Sequence, residues 1–191
     1  MSISHILPGE EMMRITIGLL CTVLGSPSIP VAQEPPSGPP PVRATFAVID
    51  TAGERVGQVT AVQEPGSLQL QVYVYHLPPG PHGFHLHAVA ACDPPGFQTA
   101  TGHLNPAGRR HGRRNPEGPH LGDLPNLQVD DRGEARLELR LDSLTLTAGP
   151  RSIGVPGTAL VIHAAADDEI TDPTGNSGAR IACAVVTIPG S

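Results

Sequence analysis

Residues 88–126 form a stretch of nearly 40 residues without apolar periodicity, and this stretch limits the possible folds more than any other part of the sequence. It is rich in Gly, Pro, Asn and His. Loops longer than about 12 to 15 residues are uncommon in compact domains unless they are functional or disordered. This first loop therefore needs something to fix it, and a bound metal together with a disulfide would do so. A second loop, shorter but also irregular, covers residues 164–178.

In residues 43–75 and 129–141, apolar and polar residues alternate with a period of two, which is typical of β-strands, and residues 159–163 and 181–188 are continuous apolar runs that complete the set of strands. The clearest case is the run in which Leu137, Leu139 and Leu141 alternate with charged residues. The chain has 22 Gly and 22 Pro, and only 3% of its residues are aromatic. Short strands built from aliphatic residues and separated by turns fit this composition better than a helical bundle does. We predict a single all-β domain.

The charge pattern gives no general affinity for nucleic acid or for an anionic membrane surface, because the formal net charge is -6. The chain has no Lys, so all 12 basic residues are Arg. The one basic cluster comprises Arg109, Arg110, Arg113 and Arg114. It could be a polyanion patch, but His111 and Gly112 interrupt it, and a solvated loop is the favoured interpretation.

The N-terminal region has the pattern of a secretory signal. Arg14 precedes the apolar run 15–24, which is too short to span a bilayer but has the length of a signal-peptide core. We predict that residues 1–32 are a signal peptide and that residues 33–42 are an extended Pro-rich tail. The alternative is a short amphiphilic helix packed on the domain. Lipid attachment at Cys21 is disfavoured because Leu20 is not the small residue that a lipoprotein signal places there. The mature chain would have no transmembrane segment and would lie in the periplasm or outside the cell.

Removal of the signal would leave Cys92 and Cys183, an even number in an exported chain, which favours one disulfide. It would close a loop of about 90 residues and stabilise the fold by at most about 4 to 5 kcal/mol in the chain-entropy model. Two buried free thiols are the alternative.

Three histidines next to strands are candidate metal ligands. His85 and His87 are two residues apart, so on an extended strand their side chains project to the same side from Cα atoms about 6.6 Å apart. Such a pair alone is weak evidence. His163 ends an apolar run directly before the second loop, where burial without a partner would be unfavourable.

The first loop supplies four further candidates, His103, His111, His120 and Asp123, at spacings of eight, nine and three residues. Three imidazoles and one carboxylate make a complete tetrahedral set for zinc with no open position, which is typical of a structural site. Four candidate ligands within one otherwise unanchored loop favour metal binding over isolated hydrogen-bonding histidines.

Four segments around these residues are specific in content, order and spacing: Gly-Phe-His-Leu-His at 83–87, Gly-His-Leu-Asn-Pro at 102–106, Asn-Pro-Glu-Gly-Pro-His-Leu-Gly-Asp-Leu-Pro-Asn at 115–126 and Gly-Asn-Ser-Gly-Ala-Arg-Ile-Ala-Cys at 175–183. They resemble the copper,zinc superoxide dismutases, especially secreted bacterial ones. The resemblance covers about residues 43–191 as one domain. It implies an eight-stranded Greek-key β-sandwich, or flattened barrel, with two long functional loops.

The resemblance also implies roles for individual residues. The implied copper ligands are His85, His87, His103 and His163. The implied zinc ligands are His103, His111, His120 and Asp123. His103 would then be shared between the two metals. Asp167 matches the carboxylate that joins a copper-ligand histidine to a zinc-ligand histidine. Cys92 and Cys183 match the family disulfide, and Arg180 matches the arginine that attracts and orients the substrate.

The implied activity is dismutation of superoxide to dioxygen and hydrogen peroxide by a copper redox cycle, as antioxidant defence outside the cytoplasm. Arg180 and the shared His103 would both be catalytic, and the cofactors would be copper and zinc. An exported copper or zinc carrier without turnover is the alternative, but a carrier needs neither of these two residues. A homodimer is compatible with the sequence.

The chain departs from many relatives because it has no lysines to attract superoxide. Its second loop is instead acidic, so attraction of the anion would depend on Arg180 and the Arg cluster. Outside the ligand set, we expect His82 to make a structural hydrogen bond, and we assign no role to His76.

Overall fold

The computed structural model describes residues 41–188, and its strands form where the sequence alternates or runs continuously apolar. The described part of the chain contains nine strands and one 3-10 turn at Gln98–Ala100, and no α-helix. The strands are β1 (Arg43–Asp50), β2 (Arg55–Glu64), β3 (Ser67–Val74), β4 (Gly80–His82), β5 (Phe84–His87), β6 (Leu127–Val129), β7 (Ala135–Leu141), β8 (Thr158–His163) and β9 (Arg180–Val186). The predicted all-β class is confirmed.

The strands pair antiparallel in two sheets. Seven strands follow the order β5-β8-β9-β1-β2-β3-β7, and β4 pairs with β6 separately. β1, β2 and β3 form a meander, with short turns at residues 51–54 and 65–66. β7 then returns to pair with β3 over its whole length, and β9 pairs with β1. Neighbouring strands that are distant in sequence are typical of Greek-key connections.

Gly83 explains why nine strands are found where eight were expected. Residues 80–82 pair with β6, whereas residues 84–87 pair with β8, so the chain changes partner at this glycine. A Cβ atom at Gly83 would lie 2.5 Å from the Cβ of Ser177. The Gly83 N–H donates to the Ala165 carbonyl at 2.8 Å, and its carbonyl accepts from the His163 N–H at 2.8 Å. Only a residue without a side chain fits, and this close contact brings the second loop against β5.

The core lies between the inward faces of the strands. In β3, Leu68, Leu70, Val72 and Val74 are buried, and the residues between them are partly exposed. Residues of β8 are buried along the whole strand. A smaller cluster lies beneath the first loop and contains Phe97, Ala100, Ala159, Val161 and Cys183. This cluster packs the first loop against β8 and β9.

β5 is the edge strand of the larger sheet, and the first loop covers it. The Leu86 N–H donates to the Gly122 carbonyl at 2.9 Å, and the Leu86 carbonyl accepts from the Leu104 N–H at 2.8 Å. Isolated bridges pair His85 with Asp123 and His87 with His103. Backbone pairing therefore holds the loop histidines beside the strand histidines.

The described residues belong to one compact unit. The predicted signal peptide at 1–32 and most of the predicted tail at 33–42 lie outside the described residues. Among residues 41–188, no helix is long and apolar enough to cross a membrane.

Candidate metal centre

The predicted copper ligands, here called the copper set (His85, His87, His103 and His163), come together in the structure. β5 carries the first two, the first loop carries His103 and the end of β8 carries His163. All four side chains are buried. One nitrogen from each ring lies within 4.8 Å of those of the other three, so the four can surround one ion.

One nitrogen of each ring in this set is buried and has no hydrogen-bond partner among the described residues: His85 Nδ1, His87 Nε2, His103 Nε2 and His163 Nε2. Buried polar atoms are nearly always paired, because an unpaired one loses its hydration without replacement. The opposite nitrogens are engaged, His87 Nδ1 with the Thr101 carbonyl at 2.8 Å and His163 Nδ1 with the Gly178 carbonyl at 3.1 Å. These rings are thus fixed with one lone pair directed at a common point, which fits a metal ion.

The zinc set (His103, His111, His120 and Asp123) forms a second cluster around one carboxylate oxygen. Asp123 Oδ1 lies 2.9 Å from His103 Nδ1, 3.1 Å from His111 Nδ1 and 3.3 Å from His120 Nδ1. Ligands in a tetrahedron around zinc, with bonds of about 2.0 to 2.1 Å, are separated by about 3.3 Å. The observed separations therefore fit a tetrahedral zinc ion.

His85 also lies within 4.8 Å of His103, His111 and Asp123, but its Nε2 is bound to Asp167 at 2.8 Å. We therefore assign His120 to the zinc set, since its Nδ1 lies 3.3 Å from both His103 Nδ1 and Asp123 Oδ1. His103 belongs to both sets, with Nδ1 in the zinc set and Nε2 in the copper set.

Asp167 joins the two sets from the second loop. Its Oδ2 accepts from His85 Nε2 at 2.8 Å, and its Oδ1 lies 3.0 Å from His111 Nε2. Asn126 holds the Asp167 backbone at both its N–H and its carbonyl, each at 2.8 Å. The carboxylate predicted to orient one histidine of each set is therefore in place and is itself fixed.

The two sets differ in their electrostatics. Burial lowers the pKa of His87 to about 2 and that of His163 to about 3 from the usual value of 6.5, so both are neutral imidazoles. Burial also acts on His111, but the hydrogen bonds to Asp123 and Asp167 outweigh it and raise its pKa to about 9. Although burial raises the pKa of a carboxyl, the bonds from His103 and His111 hold the pKa of Asp123 well below its usual range.

Arg180 begins β9 and is fixed by the first loop. Its Nη1 donates to the Phe97 carbonyl at 2.6 Å, and its Nη2 donates to the Thr101 carbonyl at 2.5 Å. Thr101 also accepts from His87, so one carbonyl holds both a copper-set ring and the guanidinium. Burial is the largest cause of the low pKa values of His87 and His163. The positive charge of Arg180 also lowers both pKa values, but by a smaller amount.

The disulfide between Cys92 and Cys183 is formed, with Cα atoms 5.7 Å apart, so the alternative of two free thiols is wrong. It ties the first loop to β9, three residues beyond Arg180 along the same strand. The link fixes the loop segment whose carbonyls hold the guanidinium.

The acidic residues of the second loop are engaged within the structure. Asp168 accepts from Thr171 and Asn176, and Glu169 pairs with Arg113 at 3.3 Å. In the Arg cluster, Arg110 pairs with Glu117 at 2.5 Å. Arg109 donates to the Gly118 carbonyl. Two of the four arginines of the cluster thus pair with a carboxylate, and a third donates to a backbone carbonyl.

The structure adds three residues that sequence reasoning missed, namely Thr101, Asn126 and Asp172. Asn126 ends the segment 115–126, but the sequence assigned no role to any of the three, because each contacts a residue distant in sequence. The expected structural role of His82 is confirmed, since its ring nitrogens each lie 2.7 Å from a carbonyl oxygen, of His163 and of Pro78. His76 is exposed and packs edge-on against Tyr75.

The fold and the site define an antiparallel β-protein with a paired, histidine-rich metal centre. The family model described as copper/zinc superoxide dismutase (SODC) matches residues 55–186. The chain therefore belongs to the copper/zinc superoxide dismutase family.

Relatives of known name support this membership. "Superoxide dismutase [Cu-Zn] 1" of Aquifex aeolicus is 41% identical over 170 residues, covering 87% of this chain and 95% of the relative. "Superoxide dismutase [Cu-Zn]" of Caulobacter vibrioides is 34% identical, covering 75% of this chain and 84% of the relative.

Two solved structures confirm the predicted β-sandwich fold. A superoxide dismutase-like protein from Bacillus subtilis matches with a TM-score of 0.71 and 34% identity, covering 74% of this chain and 97% of the other. The Cu/Zn superoxide dismutase of Brucella abortus matches with a TM-score of 0.62 and 29% identity, covering 76% and 99%.

Proposed function

We propose that this protein catalyses the dismutation of superoxide to dioxygen and hydrogen peroxide, with copper held by the copper set and zinc by the zinc set. The observation that carries the proposal is the arrangement of four buried imidazole nitrogens without hydrogen-bond partners among the described residues. One of them belongs to a ring whose other nitrogen lies in the zinc set. Imidazole suits copper in both of its common oxidation states, whereas three imidazoles and a carboxylate suit zinc.

The chain's own residues would contribute charge, orientation and a proton site. Bound copper supplies one-electron chemistry by alternating between two oxidation states. Arg180 is permanently charged and fixed by two carbonyls, so it can attract and orient a small anion beside the copper set. His103 Nε2 is the atom best placed to take up and release a proton, because Nδ1 of the same ring lies among the zinc ligands.

The zinc set would have a structural role. Its four ligands leave no open position, and Asp123 also accepts from the backbone N–H groups of Gly112 and His120, each at 2.9 Å. Zinc binding would thus order the first loop, which also carries His103 and the carbonyls that hold Arg180.

An exported metal carrier without turnover is the second candidate. The family includes a Bacillus subtilis relative named only "superoxide dismutase-like", so membership alone does not exclude this role. A carrier has no use for a fixed arginine beside the copper ligands or for a histidine shared between two sites. Both features favour the enzyme.

We also propose that the protein acts in the periplasm or outside the cell. The disulfide is compatible with an oxidising compartment, and cytosolic proteins rarely keep one. The domain division at residues 32 and 42, export through the signal peptide, a homodimer and the absence of nucleic-acid binding stay predictions.

A superoxide-decay assay on the purified mature protein, with copper and zinc counted in the same sample, tests the function. We expect the decay rate to increase in proportion to copper content. Protein loaded with zinc alone is the control and should leave the decay at its background rate. Full occupancy by both metals without accelerated decay would favour the carrier.

A further inference from the structure

Of the six ligand imidazoles, His103 uses both nitrogens for the two sets, and each of the other five has one nitrogen for metal and an outer nitrogen that needs a partner. Four of these five outer nitrogens lie within 3.1 Å of a protein oxygen: His85 Nε2, His87 Nδ1, His111 Nε2 and His163 Nδ1. The fifth of these rings is His120, whose Nδ1 lies in the zinc set and whose Nε2 is therefore the outer atom.

Asp172, in the second loop, faces this remaining nitrogen. Its Oδ1 lies 3.8 Å from His120 Nε2 and accepts from the His111 backbone N–H at 2.6 Å. One carboxylate oxygen thus lies near two zinc-set residues. The separation of 3.8 Å is longer than a direct hydrogen bond, so the carboxylate acts on His120 by its charge or through one bridging water.

The loop around Asp172 is fixed against the first loop by further contacts. The Arg114 N–H donates to the Glu169 carbonyl at 3.0 Å, and Asn115 Nδ2 donates to the Ile170 carbonyl at 3.1 Å. These bonds lie two and three residues before Asp172. The carboxylate is therefore held in place by backbone contacts and does not depend on the histidine alone.

We propose that Asp172 is a positioning residue for zinc, which orients His120 through Nε2 and holds the backbone of His111. A carboxylate behind a metal-bound histidine fixes its tautomer and ring orientation and raises its basicity. Asp167 would do this for His111 and Asp172 for His120, so the second loop would support the zinc set with two carboxylates. The inference rests on the proposed function only in that the zinc set binds zinc.

The competing explanation is that Asp172 only caps the backbone of the first loop. Asp172→Asn separates the two roles, because the amide oxygen of Asn can still accept from the His111 N–H while the negative charge is lost. Asp172→Ala removes both contributions, and Asp172→Glu restores the charge. Asp131→Asn, in the exposed turn between β6 and β7, is the charge-matched control.

The test measures how fast zinc leaves the zinc-loaded protein when a chelator is added in excess. We expect Asp172→Asn to release zinc about 10-fold faster than the unchanged protein, since loss of such partners costs about 10- to 100-fold in metal affinity. Asp131→Asn should behave like the unchanged protein, and Asp172→Glu should recover slow release. With cobalt(II) in place of zinc, the visible absorption bands should shift in Asp172→Asn and stay unchanged in Asp131→Asn.

The proposal is overturned if Asp172→Asn releases zinc at the unchanged rate while Asp172→Ala releases it faster, because capping alone would then explain the residue. The same samples are assayed for superoxide decay. Unchanged protein that retains zinc but does not dismutate would refute the proposed function and leave the role of Asp172 intact. If the unchanged protein dismutates superoxide but Asp172→Asn and Asp131→Asn release zinc at equal rates, the role of Asp172 is refuted and the proposed function stands.

Discussion

The copper set and the zinc set, which share His103, differ in the charge of their ligands before a metal ion binds. The copper set consists of imidazoles alone, and burial keeps His87 and His163 neutral at any physiological pH. The zinc set contains a carboxylate, and Asp123 together with Asp167 raises the pKa of His111 to about 9. In the absence of metal, His87 and His163 of the copper set are therefore neutral and can offer a nitrogen lone pair to an ion. His111 of the zinc set instead carries a proton, which a zinc ion would have to displace.

This difference indicates separate physical roles. The buried imidazoles of the copper set are neutral, and imidazole can hold copper in both of its oxidation states. A carboxylate surrounded by three imidazole nitrogens within 3.3 Å favours an ion of constant charge and fixes the loop around it.

Removal of one ligand from each set should have the largest effect on metal content and activity. His87→Ala should lower dismutation per chain by more than about 100-fold, since loss of even an outer partner of a ligand costs about 10- to 100-fold. It should leave zinc content unchanged. His120→Ala should instead lose zinc and lower the melting temperature while it retains copper. Metal counting, melting curves and the decay assay measure this, with His76→Ala as control. Equal loss of both metals in both variants would contradict two separable sets.

Loss of the disulfide should affect the copper side more than the zinc side. The double variant Cys92→Ser/Cys183→Ser should lower the free energy of unfolding by at most about 4 to 5 kcal/mol in urea titrations, because a closed loop of about 90 residues is opened. Activity per bound copper should also fall, since the loop carbonyls that hold Arg180 lose their anchor. A zinc-release rate as fast as that of Asp172→Asn would contradict this division.

Arg180→Gln should change the attraction of the substrate without changing the ligands of either metal. We expect kcat/KM to fall by about 10- to 100-fold, because electrostatic attraction accelerates association by factors in this range. The salt dependence of the rate should weaken, and both metals should stay bound. Arg180→Lys retains the charge and serves as the matched control. Unchanged salt dependence in Arg180→Gln would show that other charges attract the anion.

The pH dependence of metal uptake should show the smallest difference. Zinc must displace the proton that metal-free His111 carries below about pH 9, so zinc affinity should rise about tenfold per pH unit between pH 7 and pH 8.5. His87 and His163 hold no proton in this range, so the copper set should show a weaker dependence. Competition titrations at several pH values measure both. A zinc affinity that does not change with pH would contradict a protonated His111.

The sequence was sufficient to predict elements whose pattern is local. β3 and β7 follow strict alternation, so the residue pattern alone assigns these two strands. The ligand roles followed from the resemblance of four segments to a known family and stay predictions. The change of partner strand at Gly83, between β4 and β5, could not be predicted, because it depends on contact with Ser177, far away in sequence.

Asp172 illustrates the same limit within the site. In the sequence it is one of several acidic residues in the second loop, which suggests an unfavourable field for an anionic substrate. Its partner is the backbone N–H of His111, 61 residues away, so its contact with the zinc set becomes visible only in the folded chain. Thr101 acts through its carbonyl, which any residue type possesses, and therefore has no signal in the sequence.

The covered edge of β5 has a consequence for the metal-free protein. Leu86 gives both of its backbone hydrogen-bonding groups to the first loop, through Gly122 and Leu104. If the loop detaches when zinc is lost, this strand would offer unpaired N–H and C=O groups to another molecule, and such exposed strands are templates for intermolecular pairing. Demetallated protein should therefore self-associate at concentrations where the holoprotein does not, and the metal would act as a safeguard against aggregation.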